Sequence, residues 1–362
     1  MMQPALPQEL VIPRDGMVLT HSVKFKPGVY VLADKGGDGV IRVGAKGITI
    51  DFNGAKILSV KEPKAGARDG FEGKGLVIDG FSDVVVKNPV VQGYRFNLVA
   101  VNAPGLRVEG GDLSYSRAQR IGEAGKPLEK WLELRSLDAW RDYGAGAWIE
   151  KSPRATFSST NARFAQNGFV LVASDEASVR ACDGSYNSGW GIALWSSSKG
   201  SFSWNHFDFC NRPWGGGTGG DAAGFAVVNG SNENMILGNS FTHGGDGFFL
   251  TDLVNGGYDS ATKSFHFQGS SNDNTIAYND GSWSPHNAFE GTFSFRNQYL
   301  RNWAEFSNYG FWLGFSSETY IDYNEINDNS ADGIAIEQGR DNWIINNGVR
   351  RNREVAVHLW GG

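Results

Sequence analysis

The chemical interest of this chain centres on two acidic residues. Asp246 stands in GGDG, just before the segment GFFLT, and Glu290 lies inside the segment AFEGT. Both segments follow one pattern, which predicts equivalent strands lying side by side. One strand gap sideways and about three residues along puts the two backbones roughly 10 Å apart. Side chains can close that to the separation of about 5 to 9.5 Å at which paired carboxylates cleave a glycosidic bond. One carboxyl protonates the leaving oxygen while the other activates water or attacks. The equivalent positions in the flanking segments hold Phe249 and Trp312, so Glu290 is expected to be partly desolvated. Desolvation raises a carboxyl pKa, as a general acid near neutral pH requires. Asp246, in a glycine-rich turn, is expected to be open to water and to serve as base or nucleophile. Glu337, in GIAIE, is the next acid to consider.

Other residues can serve substrate binding. The chain has 6 His, and His243 and His286 immediately precede the two acid-bearing segments. An imidazole there can hydrogen-bond a sugar or tune a carboxylate, although a turn histidine with a structural partner is the plainer expectation for either alone. Asp221 opens the preceding segment. Trp195 and Trp312 offer flat faces on which sugar rings stack, although stacked aromatics can equally be packing. Arg296 is a candidate for neutralising a substrate carboxylate.

The elements that must position these residues repeat. GIALW, GFAVV, GFFLT, AFEGT, GFWLG and GIAIE align as one short strand, each followed by a second apolar run ending at Asn205, Asn239, Asn279, Asn302, Asn324 or Asn347. The last three steps between these asparagines are 23, 22 and 23 residues. A fixed short period signals a solenoid. Helical repeats need more than about thirty residues, so a coil of this length must be built from strands and turns. In a parallel β-helix each strand pairs with its equivalent one coil away, and equivalent residues stack. The asparagines are therefore expected to form a hydrogen-bonded amide ladder. Residues one and three places after each opening position are almost all apolar, so they point inward, and Glu290, Trp312, Glu337 and Trp195 point outward.

The segments THGGDGFFL, SPHNAFEGTFS, NYGFWLGFS and DGIAIEQG resemble the right-handed parallel β-helix proteins of the pectate-lyase-like superfamily, and in particular a bacterial branch of right-handed β-helix repeat proteins. The resemblance implies an all-β solenoid and a carbohydrate-active class that includes hydrolases, lyases, epimerases and non-enzymatic binding modules. Right-handed coiling also agrees with the handedness of parallel crossover connections.

The 362 residues are expected to form one solenoid domain, with residues 1–46 as an N-terminal cap. Between 119 and 143 the pattern breaks, and apolar residues spaced three and four apart predict a helix near 127–142. Two insertions in consecutive coils, 211–221 and 252–270, are expected to wall a cleft. Residues 187–349 hold 17 Asp and Glu against 6 Lys and Arg, a net of −11 where the whole chain carries −6. Such a face repels nucleic acid and anionic membranes. No run of apolar residues is long enough to span a bilayer. The opening MMQPALPQEL has no leader pattern, so secretion or a periplasmic location is expected with the leader outside this sequence. Cys182 and Cys210 make no disulfide framework, and no zinc motif is present.

The leading expectation is a glycoside hydrolase that needs no cofactor and acts on a polysaccharide or oligosaccharide. A uronate lyase or epimerase is the runner-up. It would need a cation, with Ca²⁺ held through Asp221, Asp246 and Asp252 as one route. A non-catalytic glycan-binding solenoid comes third. The final coil, VAVHLW, is expected to lack a cover and to favour self-association through its free edge.

Overall fold

The computed structural model describes residues 10–64, 68–118, 132–212, 221–252, 257–259, 264–266 and 269–361. It is a parallel β-helix. Among the described residues, two 13-stranded parallel sheets face each other across the core. The site-bearing sheet runs from Met17–Leu19 to Val357–Trp360, and the opposing sheet from Leu10–Val11 to Trp343–Ile345. The third side is mostly a chain of single parallel bridges, Asp112 to Asn161 to Asp183 to His206 to Ser240 and onward.

The register follows the sequence repeat. Phe248 pairs with Phe289, Phe289 with Phe311, and Phe311 with Ile334. These inward residues are fully buried and stack down the coil axis. The asparagines form the amide ladder. Asn239, Asn279 and Asn302 each donate through Nδ2 to the Oδ1 of the next asparagine at 2.9 to 3.2 Å. Each Oδ1 so reached also accepts from a backbone N–H of the preceding coil. The ladder thereby satisfies polar groups that burial would otherwise leave unpaired.

A second ladder lies outside. Tyr115, Phe164, Tyr186, Phe209, His243, Trp283 and Phe306 occupy one turn position, all at φ between 55° and 64°. Their rings stack in sequence with centroids 4.3 to 6.0 Å apart.

Two expectations change. Coiling begins inside the stretch expected as a cap: Leu10–Val11 already pairs with Val23–Phe25, and Met17–Leu19 with Ile41–Val43. Short strands separated by glycine gave too little periodicity to show this. The helix is shorter than predicted, Leu137–Tyr143, because Ser136 caps it by accepting from the Ala139 N–H at 3.3 Å; residues 119–131 lie outside the described residues. Of the insertions, 213–220 and much of 253–268 also lie outside them. What is described is an antiparallel pair, Gly257–Asp259 with Ser264–His266, between two site strands that themselves run parallel.

The helix covers part of the outer face of the site sheet. Trp140 packs on Trp190 and Trp195, and Tyr143 on Trp190, within a second apolar cluster outside the coil that also holds Trp148, Val228 and Phe249. The cluster continues along the stack as far as Phe249. The next outward residue in that column is Glu290.

Candidate active site

Glu290 therefore follows the last residue of that cluster in its column. It pairs with Phe249 on one side and Trp312 on the other. Asp246 begins its strand one coil earlier, and its side chain has no exposure. Tight packing produces this burial: a Cβ on neighbouring Gly247 would lie 2.5 Å from the Ala288 carbonyl, so only glycine lets the two coils approach.

Asp246 is fully engaged. Its Oδ1 accepts from His286 Nδ1 at 2.8 Å and from the Asn287 N–H at 3.0 Å, and its Oδ2 from the Asp221 N–H at 3.3 Å. His286 Nδ1 also lies 3.8 Å from Glu290 Oε2. Asn287 Nδ2 donates to that same Oε2 at 2.5 Å. Trp190, in the outer cluster, donates through Nε1 to the Asp221 carbonyl at 2.7 Å, tying the fourth residue to the helix-covered face.

The electrostatics follow from this crowding. Burial, then the charge of Asp246, raises the Glu290 carboxyl well above its ordinary range; His286 and the Asn287 hydrogen bond offset this only in part. Burial, with Asp246 again adding, pushes Asp221 up to about 7. For His286 burial acts downward, but the charge and hydrogen bond of Asp246, with Glu290 and Asp221, outweigh it and push the imidazole up to about 9. The groups form one coupled set that titrates as a unit.

The structure thus brings together Glu290, Asp246, His286 and Asp221, with Trp312 beside them. The role expected of Asp246 does not fit its position. A buried carboxylate with both oxygens hydrogen-bonded is neither open to water nor free to attack, and it is placed to orient His286. Glu337 lies two strand gaps and two residues from Glu290, roughly 12 Å away, with Gly314 and Trp360 as its neighbours. His243 is a rung of the outer ladder, its faces covered by Phe209 and Trp283. Trp195 is 8 % exposed and packs edge-on against Trp140, so its face is not available to a sugar. Arg296 lies past the far end of the Glu290 strand, where both its Nε and Nη2 engage the Asp273 carboxylate. Asn287 escaped sequence reasoning. It occupies the column between Asp246 and Tyr309, where an amide reads as a turn residue.

Asp252 lies beyond the far end of the Asp246–Thr251 strand and accepts from the Gly269 N–H at 3.1 Å. The Asp221, Asp246 and Asp252 set therefore does not assemble. Ligand atoms of Asp246, His286 and Glu290 do lie within 4.8 Å of one another. Asp246 Oδ1 and His286 Nδ1 are nevertheless already joined to each other, and a single imidazole contributes. A metal held by this set would have to displace that hydrogen bond.

The family model for NosD, described as a periplasmic copper-binding protein, matches residues 252–362. That stretch contains His286 and Glu290 but neither Asp221 nor Asp246. No curated protein matches the chain significantly. Among solved structures, the A-module of the mannuronan C-5 epimerase AlgE4 from Azotobacter vinelandii is similar at TM-score 0.60 and 12% identity, over 95% of this chain and 91% of that one. The surface protein and adhesin PfbA of Streptococcus pneumoniae is similar at TM-score 0.51 and 13% identity, over 95% and 90%. At such identities the likeness concerns fold, and by its own sheets and by these neighbours the chain is a parallel β-helix protein.

Proposed function

We propose that this protein is a glycoside hydrolase acting on a neutral glycan laid across the outer face of the site sheet. The observation that carries this reading is Glu290. Its side chain is 12 % exposed, between Phe249 and Trp312 and beside Asp246, which favours its protonated form near neutral pH. In the proposed reaction Glu290 gives its proton to the leaving glycosidic oxygen. Asp221, partly exposed and tuned to about 7, takes a proton from the attacking water. Asp246 fixes His286 through Nδ1, and the imidazole limits the negative charge that builds between the acids. Preorganised groups of this kind act without reorganising during the reaction.

Elimination or epimerisation at a uronate is the second reading. The Asp246–His286 pair supports it at pH above about 9, where the neutral imidazole can remove the proton beside a carboxylate. The acidic surroundings of Glu290 and the engagement of Arg296 with Asp273 favour hydrolysis over it. The periplasmic description of the matching family supports an exported location.

Incubation with a panel of soluble glycans distinguishes these chemistries. New reducing ends without ultraviolet-absorbing unsaturated products support hydrolysis, and unsaturated products support elimination. Glu290→Gln preserves shape and removes the titratable proton. It is expected to lower turnover by at least about a hundredfold while retaining ligand binding and leaving the melting temperature within a degree or two. Near-normal turnover would remove Glu290 from the acid role.

A further inference from the structure

Three coils beyond Asp246, the same sheet face carries a second buried aspartate holding a histidine. Asp332 stands in the column that Asp246, Asn287 and Tyr309 occupy in earlier coils. Its side chain is 4 % exposed, and it accepts from the Val355 N–H and from His358 Nδ1, both at 2.9 Å. His358 lies in the Glu290 column, following Trp312 and Ala335. With Nδ1 held by Asp332, the half-exposed imidazole keeps Nε2 for another partner.

Around it lies an aromatic plate. His358 is 4.5 Å from Trp360 between ring centres, Trp360 is 5.5 Å from Trp312, and Trp312 is 5.0 Å from Tyr309. These contacts are tilted or edge-on, unlike the outer ladder, whose rungs cover one another's faces. Tilted rings leave indole faces partly open on the sheet surface. The plate begins at Trp312, directly opposite Glu290.

We infer that Trp312, Trp360 and His358 form a distal sugar-binding subsite for a neutral glycan whose scissile bond lies at Glu290. This rests on the hydrolase reading and deepens it. The C–H faces of a pyranose stack on the indoles, and His358 Nε2 hydrogen-bonds a ring hydroxyl, the combination of apolar wall and fixed polar group that binding sites use. Asp332 is the positioning residue, fixing the ring as Asp246 fixes His286. Glu337 pairs with Trp360 in the adjacent strand, so acidic groups flank the plate and disfavour an anionic uronate.

The test uses the full chain in native gels carrying glucomannan, xyloglucan, laminarin or levan as neutral probes, and polygalacturonate or alginate as acidic ones. The wild-type protein and Glu290→Gln are expected to be retarded by at least one neutral glycan and not by the acidic ones. His358→Gln and Trp360→Ala should each weaken that retardation about tenfold, at the upper end of what one aromatic contact contributes. Trp343→Ala, on the opposing sheet, serves as a more exposed tryptophan control and should not. On a substrate that is cleaved, the two subsite variants should raise KM for long chains and leave kcat unchanged. His358→Gln carries the test if Trp360→Ala fails to fold. Retardation by no glycan, or by acidic glycans alone, overturns the subsite. So does retardation insensitive to both variants. The hydrolase reading stands or falls separately, on product formation and Glu290→Gln.

Discussion

Glu290 and Asp221 share a cluster but differ in surroundings, and that difference sets the expected pH behaviour. In the proposed mechanism activity requires Asp221 ionised, so it should rise through about pH 7. It should fall at higher pH as Glu290 gives up its proton, with both limbs belonging to the coupled set. Asp221→Asn should flatten the rising limb of whatever activity remains; an unchanged limb in a pH–rate profile would assign the base elsewhere. Stability responds to the same residues. Glu290, Asp221 and His286 all have folded-state pKa values raised above their ordinary ones. The folded state then holds more protons than the unfolded one, so stability falls as pH rises. The window runs from the ordinary carboxyl range near pH 4 to about 9, where His286 also loses its proton. Melting curves of the wild-type protein should shift downward across it, and those of Glu290→Gln should shift less. An equal slope in both would show that Glu290 is not the strained acid described here.

At the scale of elements, the two ladders make unequal contributions. Asn279 is buried: Oδ1 accepts from Asn239 N and Nδ2, while Nδ2 donates to the Ile236 carbonyl and Asn302 Oδ1. Asn279→Ala should cost about 3 kcal/mol, because it strands buried partners on both sides. His243→Ala removes one rung of the outer ladder and should cost about 1 kcal/mol or less, with turnover unchanged. Chemical denaturation of the two variants checks the ranking, and a larger loss from His243→Ala would overturn it. The asparagine column was legible in the sequence because its period is regular and its residue type is constant. Strand register was legible for the same reason, and it placed Glu290 between Phe249 and Trp312. The outer aromatic ladder was not, since its rungs change from Tyr to Phe to His to Trp and sit in turns where no alternation marks them. The burial of Asp246 was hidden too. It depends on Gly247 letting a neighbouring coil close in, a contact between segments some forty residues apart. Trp195 appeared as a free outward face because the helix that covers it comes from residues more than fifty positions earlier.

Across the whole molecule, each coil contacts only its neighbours, so stability is distributed along the stack. The strand Val357–Trp360 pairs with Ile334–Glu337. Side chains equivalent to buried core positions upstream are exposed there: Leu359 is 63 % exposed, while Leu313 in the same column is 1 %. Native-state hydrogen exchange ranks the two segments. Amides of Thr275–Ala277, paired with Met235–Leu237 on one side and Gln298–Leu300 on the other, should exchange only through global opening. Amides of Val357–Trp360, whose apolar column is exposed, should exchange faster, through local opening. Equal protection of the two segments would show that the stack opens only as a whole.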